Sequence, residues 1–483
     1  METNERVKQG LMQEAEAMVC QFIEKLQTIS EGSLEQVEQM VLQSCLSLGR
    51  GWMERVLDER EQGHCPPARR EGECGHRQRL VGDRPKRLLT LLGEVQVRRP
   101  YYQCLRDGQA EETVIVCSHG QAPWDKVWGV ETRRTSPGVQ KLVSYLAATM
   151  TLEETVEVFE RWVPLGMSGR QALNLFQPVG EALAKQEEQD VQKLAQEARC
   201  ARTQAGTEPA EPAKEIKRLY VELDGIYARH RRSSIVLSNE EQQREGDVYR
   251  EVKVGAVFAG EPGPERSKLV PGVFVDRAGP IRYVARRATA EAFGPYLYTL
   301  AHRCGLAQTE QVIALGDGAV WIWNLIGEYF PQAIQIVDLW HAREHVWKVA
   351  HAVFGRTSAK ATAWAKQGCD LLTEGAIEKL IQLIEALPPI APEPGASRSV
   401  PDIEADYFRS NAERMRYQTF RAQGMHIGSG IAEAACKTVV STRAKRSGMR
   451  WTPAGLAAIL ALRTSVLNHE FDQRWDRRRQ EVA

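Results

Sequence analysis

Apolar residues recur at three- and four-residue spacing near the start of the chain. Leu11, Ala15, Met18, Val19, Phe22, Ile23 and Leu26 form one stripe, the period of a helix with a single buried face. A second helix is expected near 33–59, after Ser33, so residues 1–60 read as a helical hairpin packed on a neighbour or on a second copy of itself. The pattern changes over 61–127, where Gly, Pro, Cys and Arg rise. Leu88–Leu92, Gly93 and Val95–Arg99 there alternate as a β-hairpin. Helical periodicity returns over 128–185, in Gly138–Met150, in Thr151–Trp162 and in a third helix from Ser168. Thr151 and Glu154 have the spacing of a capping box, and Ser168 is a second N-cap candidate. Residues 186–217 are polar and read as a charged helix end followed by a linker.

From Lys217 short apolar runs alternate with helical stretches. Leu219–Asp224 and Glu251–Ala259 read as strands, 289–304 as a helix, Gln311–Asp317 as a strand, Ala319–Phe330 as a helix and Ala333–Val337 as a strand. With a further strand before the first helix, the expected order is strand, strand, strand, helix, strand, helix, strand: an α/β layer with mixed strand directions. Residues 341–425 read as helical, broken by a loop at 388–402 that carries five prolines.

Composition narrows the class. The 483 residues suggest roughly three domains. Lys plus Arg and Asp plus Glu number 63 each, which argues against a small basic DNA-coating protein but not against a DNA enzyme. Local sign is uneven: 437–450 carries Lys437, Arg443, Lys445, Arg446 and Arg450 with no acid. Ten scattered cysteines in so long a chain do not make a secreted disulfide scaffold. No stretch reaches the roughly 18 apolar residues of a spanning helix, and a cytosolic, reduced, membrane-free protein is expected.

The position of the acids carries the chemistry. Asp224 and Asp317 each end an apolar run, so two buried strands would bring two carboxylates to the mouth of one sheet. Left alone they repel. Two Mg²⁺ (or Mn²⁺) ions would relieve this and serve in-line phosphoryl transfer. A third acid is expected on a neighbouring helix, and Glu433 in Gly-Ser-Gly-Ile-Ala-Glu433 supplies it, with Glu413 or Glu404 as fallback. Gly428 and Gly430 would allow close approach, and Ser429 would cap the helix. Lys437, Arg443, Lys445 and Arg446 would follow as a cationic helix suited to a phosphate backbone. At the start of the third helix of 128–185, Arg170, Gln171 and Asn174 could read base edges if the stretch is a helix-turn-helix; a plain bundle fits it equally. Cys65, Cys74, Cys104 and Cys117 bracket the hairpin at spacings looser than Cys-x-x-Cys, so a structural Zn²⁺ and unrelated buried thiols both stand.

Glu-Leu-Asp224-Gly, Leu-Gly-Asp317-Gly-Ala-Val-Trp-Ile-Trp, and Gly-Ser-Gly-Ile-Ala-Glu433-Ala-Ala-Cys-Lys-Thr with Arg-Ala-Lys-Arg-Ser-Gly-Met-Arg-Trp451 together resemble bacterial insertion-sequence DDE transposases of the ISKra type, relatives of the Mutator-like transposases. Leu-Leu-Gly-Glu-Val-Gln-Val-Arg-Arg-Pro-Tyr-Tyr-Gln-Cys104 resembles that family's cysteine-containing, zinc-ribbon-like hairpin, so the likeness spans about 60–470. It implies an RNase H-like catalytic domain from 218–340 and 426–483, interrupted by a helical insertion at 341–425, and Asp224, Asp317 and Glu433 as the acidic triad. It also implies a role for Asp338-Leu-Trp-His341, an Asp-x-x-His pair that recurs among Mutator-like enzymes; His341 would contact a phosphate or a flipped base, or serve only the fold. Trp451 falls in the same DNA-facing segment. The partners implied are terminal inverted repeats, target DNA and at least one further protomer. The alternatives are an RNase H-like nuclease without strand transfer and a domesticated, non-catalytic DNA-binding protein.

Overall fold

A computed structural model describes residues 2–27, 33–62, 67–72, 75–104, 120–131, 133–163, 166–203, 216–238, 241–242, 246–266, 274–392 and 395–482. It is a mixed α/β chain in two compact units, Met1–Phe176 with Arg479–Ala483, and Gln177–Arg478.

In the first unit α1 (Glu2–Gln27) and α2 (Leu34–Gln62) pack on each other. Arg55 Nε donates to Glu14 at 2.7 Å, and Trp52 Nε1 donates to the Leu11 carbonyl at 3.1 Å. Val19, Ile23 and Leu26 of the predicted apolar stripe stay exposed, and so do Met12, Val41 and Leu42. Next come β1 (Arg69–Glu71), β2 (Arg77–Thr90), β3 (Gly93–Cys104) and β4 (Gly120–Gln121), one antiparallel sheet in chain order. The hairpin turns between Thr90 and Gly93, as expected, but its strands run further than the alternation predicts. Glu54 and Asp58 of α2 accept the Gln96 and Arg98 N–H groups on the free edge of β3, which would otherwise be open to pairing. Leu57, Leu88, Val95, Val97, Trp124 and Val130 form the core there, beside Asp125 at the start of α3 (Pro123–Val127). Asp125 is buried and takes Arg99 at 2.7 Å and Lys86 at 3.0 Å.

Three helices follow: α4 (Pro137–Thr149), α5 (Leu152–Trp162) and α6 (Gly169–Thr203). The capping box is present, Glu154 N–H on Thr151 Oγ1 at 3.1 Å and Thr151 N–H on Glu154 Oε2 at 2.8 Å. Val139, Val143, Phe159, Val163, Met167, Ala172 and Leu175 close the bundle. The third helix has 35 residues and takes in the polar stretch 186–203 as its charged end; the expected linker beyond it lies mostly outside the described residues.

The second unit is built on one sheet. β5 (Ile216–His230) lies between antiparallel β6 (Val248–Arg266) and parallel β9 (Thr309–Gly316). β7 (Phe274–Ala278) and β8 (Arg282–Arg286) extend β6 antiparallel, and β10 (Ile334–Val337) pairs parallel with β9 at the other side. The path is β10-β9-β5-β6-β7, with β8 also on β6. Helices α7 (Ala290–Arg303) and α8 (Val320–Tyr329) link β8 to β9 and β9 to β10. The connection after β10 is helical: α9 (Leu339–Phe354), α10 (Ala359–Thr373), α11 (Ile377–Glu385), α12 (Val400–Ser410) and α13 (Tyr417–Ala422). The chain then returns to the sheet as α14 (Gly430–Ala435), widens into a π-helical stretch at Cys436–Ser441, and closes with α15 (Pro453–Leu467) and α16 (Phe471–Val482). Apolar residues of the sheet, α7–α13 and the return segment share one core.

The return segment is pinned on both sides. Arg218 on β5 and Asp276 on β7 form a buried pair at 2.9 Å, and Tyr220 Oη donates to Asp276 at 2.7 Å. The His426 ring meets the Asp276 carbonyl at 2.8 Å and stands edge-on to Tyr220. On the far side the Leu339 N–H donates to the Ile427 carbonyl at 3.0 Å. Residues 425–429 are thereby threaded beside the sheet just before α14.

Candidate active site

Asp224 is not at the end of its strand. β5 runs six residues beyond it, to His230, because 225–230 pair with β6. What ends near Asp224 is the parallel pairing with β9, whose last register pair is Glu222 with Leu315. Asp224 is left half-buried beside the stretch where β9 gives way to Asp317. Asp317 Oδ1 accepts the Ala319 N–H at 2.9 Å. Gly318 between them has φ 95°, and a Cβ there would lie 2.6 Å from Tyr407 Oη, so that turn requires glycine.

Asp224 lies within reach of the Asp317 charge. Burial raises the Asp224 carboxyl above its ordinary range. Hydrogen bonds from Cys436 and from the Gly225 N–H (2.7 Å) oppose this; Asp317 pushes upward and His341 downward. Asp224, Asp317, His341 and Cys436 thus share one neighbourhood. Tyr407 closes a side, donating to the Asp317 carbonyl at 3.3 Å and stacking on His345 with ring centroids 3.8 Å apart.

Glu433 lies on α14, which packs on β5 and β6 one turn before Cys436. Its carboxylate is turned to Lys437, Nζ–Oε1 2.6 Å, with the side chain 65% exposed. Among the described residues no group of three or more His, Cys, Asp or Glu is arranged to hold a metal ion. The structure therefore brings the aspartates together and sets the helix of the third acid beside them, with its carboxylate pointed elsewhere. Of the fallback acids, Glu404 is buried under His345 and Lys348 (2.5 and 2.6 Å), and Glu413 is exposed on Arg416.

The remaining expectations divide. Asp338 is 3% exposed and meets protein groups, not solvent: Oδ1 accepts the His341 N–H at 2.8 Å, and Oδ2 accepts both the N–H and the hydroxyl of Ser429. It caps α9, and its burial argues against direct DNA contact. Ser429 correspondingly gives α14 no side-chain cap. A Cβ at Gly430 would meet nothing within 4 Å, so close approach does not explain that glycine. Arg443 and Trp451 are buried at 1% and 9%, the guanidinium over the indole at 5.2 Å, and they belong to the core rather than to a DNA-facing surface. Lys437, Lys445 and Arg446 are exposed. In the first unit Arg170, Gln171 and Asn174 are exposed at the start of α6, and Gln171 Oε1 is already engaged by the Ser168 N–H at 2.8 Å. Cys104 ends β3 with Gln78 Nε2 3.6 Å from its sulfur; Cys65, Cys74 and Cys117 lie outside the described residues.

One acid escaped the sequence reading. Glu222, two residues before Asp224 on β5, is fully buried. Its Oε2 accepts the Ala432 N–H at 2.8 Å, and Oε1 has no hydrogen-bond partner among the described residues. Burial pushes its carboxyl up to about 8, with Asp338 adding to the rise and the Ala432 and Ile431 N–H groups opposing it. The available signal was strand parity: residues i and i+2 share a face.

No helix among the described residues is long and apolar enough to cross a membrane. No family model matches the chain. It is 24% identical over 402 residues to the "UPF0236 protein in vanSb 3'region" of Streptococcus gallolyticus, a match spanning 80% of this chain and 74% of that protein. Among solved structures it aligns with the Drosophila P element transposase strand transfer complex at 10% identity and a TM-score of 0.23, covering 73% of this chain and 82% of that one. So loose a superposition carries no argument about the site.

Proposed function

We propose that the chain is a DDE transposase of an insertion sequence, with an RNase H-like core in the second unit. One observation carries the reading: Asp224 and Asp317, from neighbouring parallel strands, meet in one partly desolvated place beside the helix that bears Glu433. The sheet supports it, with four strands in antiparallel pairing, β5 to β8, followed by two parallel ones on the opposite side of the first. The alternative of a binding protein without catalysis has no use for a partly buried carboxyl, Asp224, set beside a second one.

The donor set fits hard divalent cations. Asp224 and Asp317 would hold them, and Glu433 would join by leaving Lys437. That exchange is inexpensive, because an exposed i,i+4 pair is worth only about 0.3–0.5 kcal/mol. Two bound Mg²⁺ or Mn²⁺ ions would supply Lewis acidity and an activated water for cutting at the element's ends, where the freed 3′-hydroxyl then joins target DNA. His341, half-buried beside Asp224, would bind a phosphate oxygen next to the cut. Lys437, Lys445 and Arg446 would bind the backbone, and Arg170 and Asn174 the terminal repeats. Joining two ends calls for at least two protomers, and the uncovered apolar residues of α1 and α2 are the surface we assign to that contact.

The test is strand transfer with pre-cut element ends in Mg²⁺. Joining by the wild-type protein and its loss in Asp317→Ala is expected. Cutting without joining would favour the nuclease alternative, and equal activity in Asp317→Ala would overturn the site.

A further inference from the structure

We infer that Glu222 is a positioning residue that sets the Glu433 helix in register against Asp224; the inference rests on the transposase reading. Helix α14 packs on β5 and β6 and is fastened to β5 by one hydrogen bond, the Ala432 N–H on Glu222 Oε2 at 2.8 Å. Cys436, the residue that follows α14, is a neighbour of Asp224. The spacings agree: four residues of helix rise about 6 Å, and two residues of strand advance about 6.6 Å. Glu433, adjacent to Ala432, is placed by the same contact.

Asp338 completes the clamp from the end of β10, two strands away from β5. It takes the N–H and hydroxyl of Ser429, while Glu222 takes the N–H of Ala432 three residues on. Two buried carboxyl groups, from β5 and from the residue after β10, thus occupy the free N–H groups where the chain turns into α14. Packing alone does not explain the choice. An apolar residue at 222 would leave the Ala432 N–H buried without a partner, whereas glutamate leaves its own Oε1 unsatisfied. A fully buried acid kept in a strand of apolar neighbours answers to the position of what it holds. Glu222 acts through Glu433 and touches no substrate.

The test pairs Glu222→Ala with Glu222→Gln, since an amide oxygen can still accept the Ala432 N–H. Strand transfer from pre-cut ends is followed for kcat and KM, together with amide hydrogen exchange of the peptide covering Ser429–Cys436. The expected result for Glu222→Ala is faster exchange in that peptide and a fall in kcat on the order of hundredfold, as for a misplacement of about 1 Å. KM for DNA should stay put, and Glu222→Gln should restore both exchange and kcat to within about tenfold of wild type. Unchanged exchange in Glu222→Ala overturns the clamp whatever the enzyme does. Loss of activity in Glu222→Gln equal to that in Asp224→Ala, with exchange still slow, also overturns it, because Glu222 would then be acting as a ligand. Absence of strand transfer from the wild-type protein sinks the transposase reading, and the positioning role with it.

Discussion

Replacing Glu222 by Gln should make the protein more stable at neutral pH, and the gain should grow with pH. The carboxyl is fully buried and its pKa lies at about 8, against 4.5 for an unhindered glutamate. A folded-state value above the unfolded one means that the native protein binds the proton more tightly. Its stability contribution is therefore fully present below pH 4.5 and is lost as pH rises to about 8. The slope is about 1.4 kcal/mol per pH unit, so the wild-type protein should lose roughly 3 kcal/mol between pH 4.5 and 7 through this one group. Gln has nearly the same shape and no proton to lose. Urea unfolding of wild type and Glu222→Gln, in EDTA at pH 5, 6, 7 and 8, measures the difference. The two curves of stability against pH should diverge steadily, with the variant above. Parallel curves would refute the reasoning, since they would mean that the Glu222 carboxyl ionises in the folded chain as readily as in water.

Three further outcomes are expected. Lys437→Ala should change stability by no more than about 0.5 kcal/mol, and should leave the Mg²⁺ midpoint of a thermal-shift titration unchanged or lower, because Glu433 loses a competitor. Asp276→Ala leaves Arg218 and Tyr220 Oη buried without their acceptor and should cost about 3–5 kcal/mol in chemical denaturation. Lys445→Ala and Arg446→Ala should each weaken DNA binding and reduce its salt slope by about one, whereas Arg443→Ala should lower the melting temperature and leave the salt slope alone.

The sequence exposed the two aspartates because each sits beside an apolar run that only a buried strand explains. It hid the length of β5, because Ile226–His230 mixes charge with apolar residues and reads as a loop until β6 is seen to pair with it. Glu222 was invisible for the opposite reason: an acid inside an apolar run looks like an imperfect strand residue, and only the helix above it supplies the N–H that it meets. Arg443 reads from the sequence as one more cation of a basic helix, since a regular helix is the default for 430–446. The π-helical stretch Cys436–Ser441 breaks that regularity, and the guanidinium turns inward onto Trp451. Asp338 stood out only through the Asp-x-x-His pair; its second oxygen serves Ser429, 91 positions away, a contact made only by folding. The capping box at Thr151 and the turn before Gly93 were legible because both are local.

Binding of Mn²⁺, followed by electron paramagnetic resonance, tests the central claim most directly. Wild-type protein should take up the ion, and Asp224→Asn and Asp317→Asn should each release it, with Glu433→Gln weakening it. Uptake that is undiminished when both aspartates are replaced would contradict the account.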